Sequence, residues 1–271
     1  MSGGPDSTAL VALAVAAGCV VEAIHVDHGM RPGSADEALV VARTAARLGC
    51  DFRAVRVEVD DGPNLEARLR DARYAVLPAD VMTGHTADDQ VETMLLNLLR
   101  GAGRSGLSAM RPGVRRPILG LRRAETVGLC DALGLETLDD PTNLDPRHLR
   151  NRIRHELLQM MVDLAGRDLV PVLTRQADLL RDEHDLLDQL AAEIDPTDAI
   201  ALAGAPAALA RRAVRRWIGG THPPDLATVE RVLAVARGEA TGTDIGGRRR
   251  VSRSHQRLRI DERPQAPDGN G

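Results

Sequence analysis

The chain opens on Ser2-Gly3-Gly4-Pro5-Asp6-Ser7, and these residues run straight into the apolar stretch Thr8 to Ala17. Two adjacent glycines let a backbone approach an anion closely, and serine hydroxyls add donors. The first-turn amides and dipole of a following helix favour negative charge at the same place. Such a loop is built to hold pyrophosphate at the start of a helix and reads as an ATP site.

No lysine occurs, so all 35 cationic side chains are arginine. A Walker A loop needs its lysine, as do Schiff-base enzymes and ligases that adenylate their own side chain. All three classes are excluded. The pattern SGGxDS resembles the ATP pyrophosphatases instead, and that resemblance implies cleavage of ATP between its α and β phosphates to adenylate a substrate.

At 271 residues the chain is long enough for one full α/β domain and a smaller companion. Phe, Tyr and Trp occur once each, so Val, Leu, Ala and Ile must fill the core, and few aromatic platforms exist for stacking bases. A net charge of −4 argues against a uniformly basic nucleic-acid coat while permitting local basic patches. Cys19, Cys50 and Cys130 are isolated and odd in number, which suggests neither a disulfide framework nor a cysteine zinc site and fits a reducing cytoplasm. Ala9 to Cys19 is apolar and ends like a lipoprotein cleavage site. Against export, Asp6 precedes it and no cation occurs before Arg31. No apolar run approaches membrane-spanning length without interruption.

Helix and strand signals alternate through the first half. Thr8 to Ala17 reads as a helix closed by Gly18, and Val20 to Val26 as a strand covered on both faces. Ser34 with Glu37 opens a helix that stops at Gly49, and Val55, Val57 and Val59 alternate with charged residues as a strand nearer the sheet edge. Helices are expected over 65–77, 87–100 and 124–133, with short strands reaching His85 and over 117–119 and 135–138. This is the pattern of an α/β fold, a parallel sheet with helices on both faces. After Arg154 strand signals vanish until 249–260. Residues 169–194 read as a long helix with a kink near Pro171, and 205–218 and 226–237 as two more. The expected organisation is an ATP-binding catalytic domain over 1–165, a linker helix over 166–195, a smaller, mainly helical domain over 196–263 ending in a hairpin, and a disordered tail over 264–271.

Met82 to Thr93, MTGHTADDQVET, falls at a strand-to-helix turn, where open α/β sheets bind ligands. Helical periodicity gives Val91, Met94, Leu95, Leu98 and Leu99 as the buried stripe, with Asp88 at its upper end and in need of a partner. Asp89 and Glu92, three apart, project near one another from the exposed side. Thr86 as a cap with Asp89 in the first turn is an ordinary helix start. Three carboxylates and His85 beside an ATP loop equally suit Mg2+ or a cationic substrate, and both readings stay open. Arg100 and Arg104 lie in a flexible, basic loop, and DPTN at 140–143 leads into Arg147, Arg150, Arg152 and Arg154. Arg150 and Arg154 share a helical face suited to phosphates. In a chain without lysine the cluster also reads as a solvated face.

Together these motifs resemble the tRNA(Ile)-lysidine synthase family. SGGPDS, IHVDHGMR at 24–31, Asn64-Leu65-Glu66 with Arg70 and Arg73-Tyr74, GHTADDQVET at 84–93, LLRGAGRSGLSAM at 98–110, RRPIL at 115–119 and DPTN with RNRIRHELL at 150–158 follow in that family's order. The helical remainder resembles, more weakly, the family's linker helix and first C-terminal, RNA-binding domain. The resemblance implies that ATP adenylates O2 of the wobble cytidine, position 34, in the CAU anticodon of tRNA(Ile), and that free lysine then attacks C2 and expels AMP. It implies that Ser2, Gly3, Gly4, Pro5, Ser7, His25 and Gly84 bind ATP, that Asp6 acts with Mg2+, and that Asp89 and Glu92 bind lysine. Arg70 and Arg73 would lie near the reacting phosphate or the RNA, and His85 would position ATP or move a proton. Arg100, Arg104, Arg150, Arg152 and Arg154 are tRNA candidates, as are Arg211, Arg212, Arg215 and Arg216, which read equally as a solvated helix face. The implied setting is the cytoplasm. The oligomeric state stays open, with a homodimer one possibility.

The family has a strand before the loop, central in the expected order 3-2-1-4-5, whereas the loop here begins at residue 2. The expectation is a natural chain that starts upstream. NAD synthetase shares SGGxDS and a similar length and is the alternative enzyme; it would use ammonia and need no RNRIR segment. Thiouridine-forming relatives need sulfur-carrying cysteines, and Cys19, Cys50 and Cys130 are poorly arranged for that. A tRNA-binding relative without catalysis is the third alternative.

Overall fold

The computed structural model describes residues 1–27, 29, 34–59, 62, 65–139, 145–220 and 223–262. His28, Arg31, Asn64, the DPTN segment and the expected tail lie outside the described residues. The chain divides into two compact units, Met1–Leu180 and Arg181–Gly271.

In the first unit α1 (Pro5–Ala16) begins inside the glycine loop, with Gly4 as its N-cap and Pro5 in the first turn. The expected start at Thr8 is thereby corrected: proline's fixed φ and missing N–H suit a first turn, so Asp6 and Ser7 are already helical. β1 (Glu22–Asp27) runs parallel to β2 (Asp51–Arg56), from Glu22 opposite Asp51 to Asp27 opposite Arg56. Between them α2 (Ser34–Leu48) makes the crossover, and Val11, Ala23 and Ala45 bury one face of this β-α-β unit. There follow α3 (Leu65–Val76), α4 (Ala87–Leu99), α5 (Arg104–Leu107) and α6 (Arg123–Ala132). Next, α7 (Leu149–Arg152) passes through a π turn (Ile153–Leu157) into α8 (Leu158–Ala165), and α9 (Val170–Ala192) begins in this unit. This is an α/β fold built on a parallel strand pair.

Three expected strands do not form among the described residues, so the order 3-2-1-4-5 is represented there by β1 and β2 alone. In the chain before His85, Thr83 N bonds to Arg115 O at 2.9 Å and Val81 N to Pro78 O at 3.1 Å, and Leu138 N donates to Gly3 O at 2.9 Å. Over 117–119 the chain turns, with Leu121 N bonded to Ile118 O at 3.0 Å. Ile118, Leu119 and Leu135 are buried, as their apolar character demands. A strand additionally needs a neighbour to supply a ladder, which local sequence does not encode. The second strand also ends at Arg56, short of Val57 and Val59. Pro171 sits in the first turn of α9, where it needs no kink, and Leu98 and Leu99 at the end of α4 are exposed rather than buried.

The second unit contains α10 (Ala199–Gly204), α11 (Ala207–Ile218) and α12 (Leu226–Arg237), then an antiparallel sheet of β3 (Gly242–Gly246), β4 (Arg249–Ser254) and β5 (Arg257–Glu262). That is one strand more than the expected hairpin. Leu202, Val214, Ile218, Val229 and Val232 pack with Val251 and Leu258 from the sheet. Asp225 caps α12 by accepting from Thr228 N at 2.7 Å, and Arg253 donates to Val235 O and Ala236 O at its other end. No helix among the described residues is long and apolar enough to cross a membrane.

Candidate active site

The loop is shaped by its neighbours. Gly3 has φ of +89°, which favours glycine, and a Cβ there would lie 2.5 Å from Leu138 Cδ1, so that side chain would have to shift. Ser7 Oγ donates to Gly4 O at 3.0 Å and accepts from Ser2 N at 3.2 Å, which closes the loop over the start of α1. Gly84, in the turn before α4, comes still closer: a Cβ would lie 2.6 Å from Asp6 O and 2.8 Å from Asp6 C. The phosphate loop and the GHTADD turn therefore touch backbone to backbone.

Helix α4 carries three carboxylates into this region. Asp88 finds the partner it needs in Arg122, whose Nε and Nη2 donate to it at 3.2 and 3.3 Å, and in Arg123 N at 2.8 Å. Arg122 also pairs with Asp168, which accepts from Val170 N at the start of α9. Asp89 and Glu92 do not point to the exposed side, and that expectation is corrected. Glu92 is buried, its Oε2 accepting from Arg150 Nε at 2.8 Å and its Oε1 from Arg154 Nε at 2.5 Å. Asp89 Oδ1 accepts from Arg150 Nη2 at 3.0 Å, while Oδ2 accepts from Thr86 N at 2.9 Å. The helix-start reading thus describes Oδ2, while Oδ1 carries a guanidinium of this chain. The reason for the inward turn is α7 and its π turn, which pack against α4 and bring both arginines onto it. Arg152 instead pairs with Glu156 on the exposed surface, 3.1 Å away.

Asp6 lies between these groups. Its Oδ2 accepts from Arg123 Nη1 at 2.8 Å and its Oδ1 from Thr126 Oγ1 at 2.5 Å. Burial raises its carboxyl above the usual range, against the pull of Thr126 and Arg123, and the charges of Asp89 and Arg154 are close enough to act on it. His85 Nδ1 is 2.8 Å from Thr83 Oγ1. Burial lowers the His85 pKa to about 4; Asp89 opposes the shift, while Arg150, Arg116 and Arg70 add to it. The imidazole is therefore neutral at neutral pH. Asp6, His85, Asp89, Arg150 and Arg154 form one electrostatic neighbourhood beside the loop.

The remaining candidates are more spread. His25 is buried in β1 with Nδ1 3.0 Å from Met1 O. Arg70 and Arg73 each lie 5.3 Å from the centroid of the Tyr74 ring. Arg100 and Arg104 are exposed, in a segment stapled to α4 by Gln90, bonded to Met110 N and O at 2.9 Å, and by Asn97, bonded to Gly106 O at 2.8 Å. In the second unit Arg211 pairs with Glu230, Arg212 with Asp188, and Arg216 with Ala191 O, whereas Arg215 is exposed with no acidic partner among the described residues. Arg122, Arg123 and Thr126 were not foreseen. Two arginines at a helix N-terminus oppose the helix dipole, and that local conflict was the available sign that acidic partners hold them.

The PP-loop domain family matches residues 1–161. The tRNA(Ile)-lysidine synthase of Nocardia farcinica is 41% identical, with 98% of this chain and 91% of that protein covered. Its counterparts in Mycobacterium tuberculosis strain H37Rv and Rhodococcus erythropolis are 39% and 40% identical, covering 93% and 91% of this chain and 86% and 82% of theirs. Among solved structures, a U34-tRNA thiolase from Methanococcus maripaludis aligns with a TM-score of 0.54 at 18% identity, over 67% of this chain and 70% of that one, which is a likeness of fold. With the phosphate loop, the PP-loop match and identity along nearly the whole length in agreement, the chain belongs to the tRNA(Ile)-lysidine synthase family.

Proposed function

We propose that this protein uses ATP to join free lysine to C2 of the wobble cytidine, position 34, of tRNA(Ile) bearing a CAU anticodon. The observation that carries this reading is the contact between loops, in which any side chain at Gly84 would strike the backbone of Asp6. Nucleotide and amine acceptor chemistry need one shared site, and this contact supports one. A urea-like carbonyl is a poor electrophile. Attack of cytidine O2 on the α-phosphorus releases pyrophosphate and makes that oxygen part of a phosphate ester. Attack of the lysine amine on C2 then breaks the C2–O2 bond, and AMP leaves with the oxygen.

Ser2, Gly3, Gly4, Pro5 and Ser7 would hold the phosphates, with His25 and Gly84 lining the nucleotide site. His85, kept neutral, suits either nucleotide positioning or acceptance of the amine's proton. Asp89 and Glu92 would bind the lysine, and Arg70 and Arg73 would face phosphate or RNA. Asp6 is a hard oxygen ligand of the kind Mg2+ takes, and to hold the ion it would give up its bond from Arg123 or Thr126. Bound there, it would offset charge on the departing pyrophosphate. Arg123 and Thr126 fix the direction of the Asp6 carboxylate. The target base must leave its stack to enter such a site. Residues 1–165 would be the catalytic domain, 166–195 the linker helix and 196–263 the tRNA-binding domain. Arg100, Arg104, Arg150, Arg152, Arg154 and Arg215 would serve the tRNA, all in the cytoplasm, whereas Arg211 is held by Glu230.

Incubation with labelled lysine, ATP and transcribed tRNA(Ile) carrying CAU is expected to place label in the RNA. Asp89→Asn is expected to abolish it in protein whose melting curve shows it folded; unchanged incorporation would remove Asp89 from the site.

A further inference from the structure

Four arginines of this region are taken up by carboxylates: Arg122 by Asp88 and Asp168, Arg123 by Asp6, and Arg150 and Arg154 by Asp89 and Glu92. Arg116 is not. Its Nη1 donates to Arg111 O at 3.3 Å, its Nε is buried without a hydrogen-bond partner, and no carboxylate pairs with it among the described residues. The turn that presents it is fixed against the GHTADD segment. Arg116 N closes on Gly113 O at 2.8 Å, and Arg115 O accepts from Thr83 N at 2.9 Å and from Thr83 Oγ1 at 3.2 Å. That same hydroxyl lies 2.8 Å from His85 Nδ1. Pro117 adds to this, since it disfavours a helical backbone at the residue before it. The guanidinium is near enough to His85 to join burial and Arg150 in lowering the imidazole pKa.

A buried N–H without an acceptor is costly, and so is a cation without a counter-charge. An anionic oxygen arriving with a ligand would satisfy both. Arg116 meets the site from the side of His85, whereas the β and γ phosphates fall to the glycine loop at the start of α1. We propose that Arg116 binds the α-phosphate of ATP, the group passed to the cytidine, and stays on it until AMP leaves. The inference rests on the adenylation reading of this site. A backbone phosphate of the RNA offers the same chemistry, but a buried Nε suits an enclosed phosphate better than one on a surface strand.

Binding of AMP and of pyrophosphate, each alone, is measured by calorimetry for the wild type, Arg116→Gln and Arg116→Lys. Beside it run tRNA-dependent exchange of pyrophosphate into ATP and tRNA affinity over a salt series. Exchange absent from the wild type would overturn the adenylation reading, and the inference with it. With exchange present, Arg116→Gln is expected to weaken AMP by about 10- to 150-fold, the range of a charged hydrogen bond, and to slow exchange, with pyrophosphate affinity and salt slope unchanged. Arg116→Lys keeps the charge without the fork and is expected to fall between. Equal AMP affinity in all three proteins would overturn the inference alone. Equal loss of AMP and pyrophosphate would do so too, because the effect would not belong to the α-phosphate. A salt slope lowered by about one, with AMP affinity unchanged, would give the guanidinium to the RNA backbone, and the inference fails. Should Arg116→Gln not fold, wild-type AMP affinity in Arg116→Lys would refute the inference and a selective loss of AMP would support it.

Discussion

His85 is half-buried in the turn before α4, and its protonation follows from that position. Its folded pKa of about 4 lies below the ordinary 6.5, chiefly through burial. Between those values the unfolded chain binds more protons than the native one, so stability rises with pH across the window and falls as the solution is acidified. The full loss from pH 6.5 to 4 is on the order of 3 kcal/mol. Urea denaturation of wild type and His85→Gln at pH 7 and pH 4.5 checks this. The wild type is expected to lose more stability than the variant, and a pH-independent difference between them would contradict it. The placement of His85 beside an ATP loop was legible in the GHTADD motif. Its lowered pKa was not, because it depends first on burial and then on Arg150 and Arg116, which are distant in sequence.

At the scale of the element, periodicity located α1, α2, α3, α4 and α6 to within a few residues, while α5 falls in a segment expected to be a flexible loop. On α4 it placed Val91, Met94 and Leu95 in the core but carried Leu98 and Leu99 with them. A repeat gives the buried side of a helix and not the length over which something covers it. The strands were less legible, since burial of Ile118 or Leu135 follows from composition and a ladder partner does not. Equally, the shared face of Arg150 and Arg154 was readable from spacing, while Glu92 as their target required the fold. Their orientation depends on the π turn at Ile153–Leu157. Deleting one residue there would restore a plain α-helix and rotate the upstream Arg150 by about 100° relative to α8. That would strand a buried Glu92, at a cost of about 3–5 kcal/mol. Denaturant midpoints should show it, and the same deletion in a Glu92→Gln background should cost clearly less.

For the whole molecule, the question is which arginines are available to a polyanion. Arg211 and Arg212 are engaged by Glu230 and Asp188, whereas Arg215 on the same helix has no acidic partner among the described residues. Arg215→Ala is therefore expected to lower the salt slope of tRNA binding by about one with little change in folding, and Arg211→Ala to leave that slope nearly unchanged. Filter binding over a salt series measures both. The site has a further property that follows from its guanidinium pairs. Arginine stays charged throughout the usable pH range and resists amine-directed acylation, so such reagents find no target in Arg150 or Arg154. Free lysine, and a lysine residue once joined to RNA, still present a primary amine. An activated ester applied after the reaction would then tag the modified nucleic acid and leave Arg150 and Arg154 untouched.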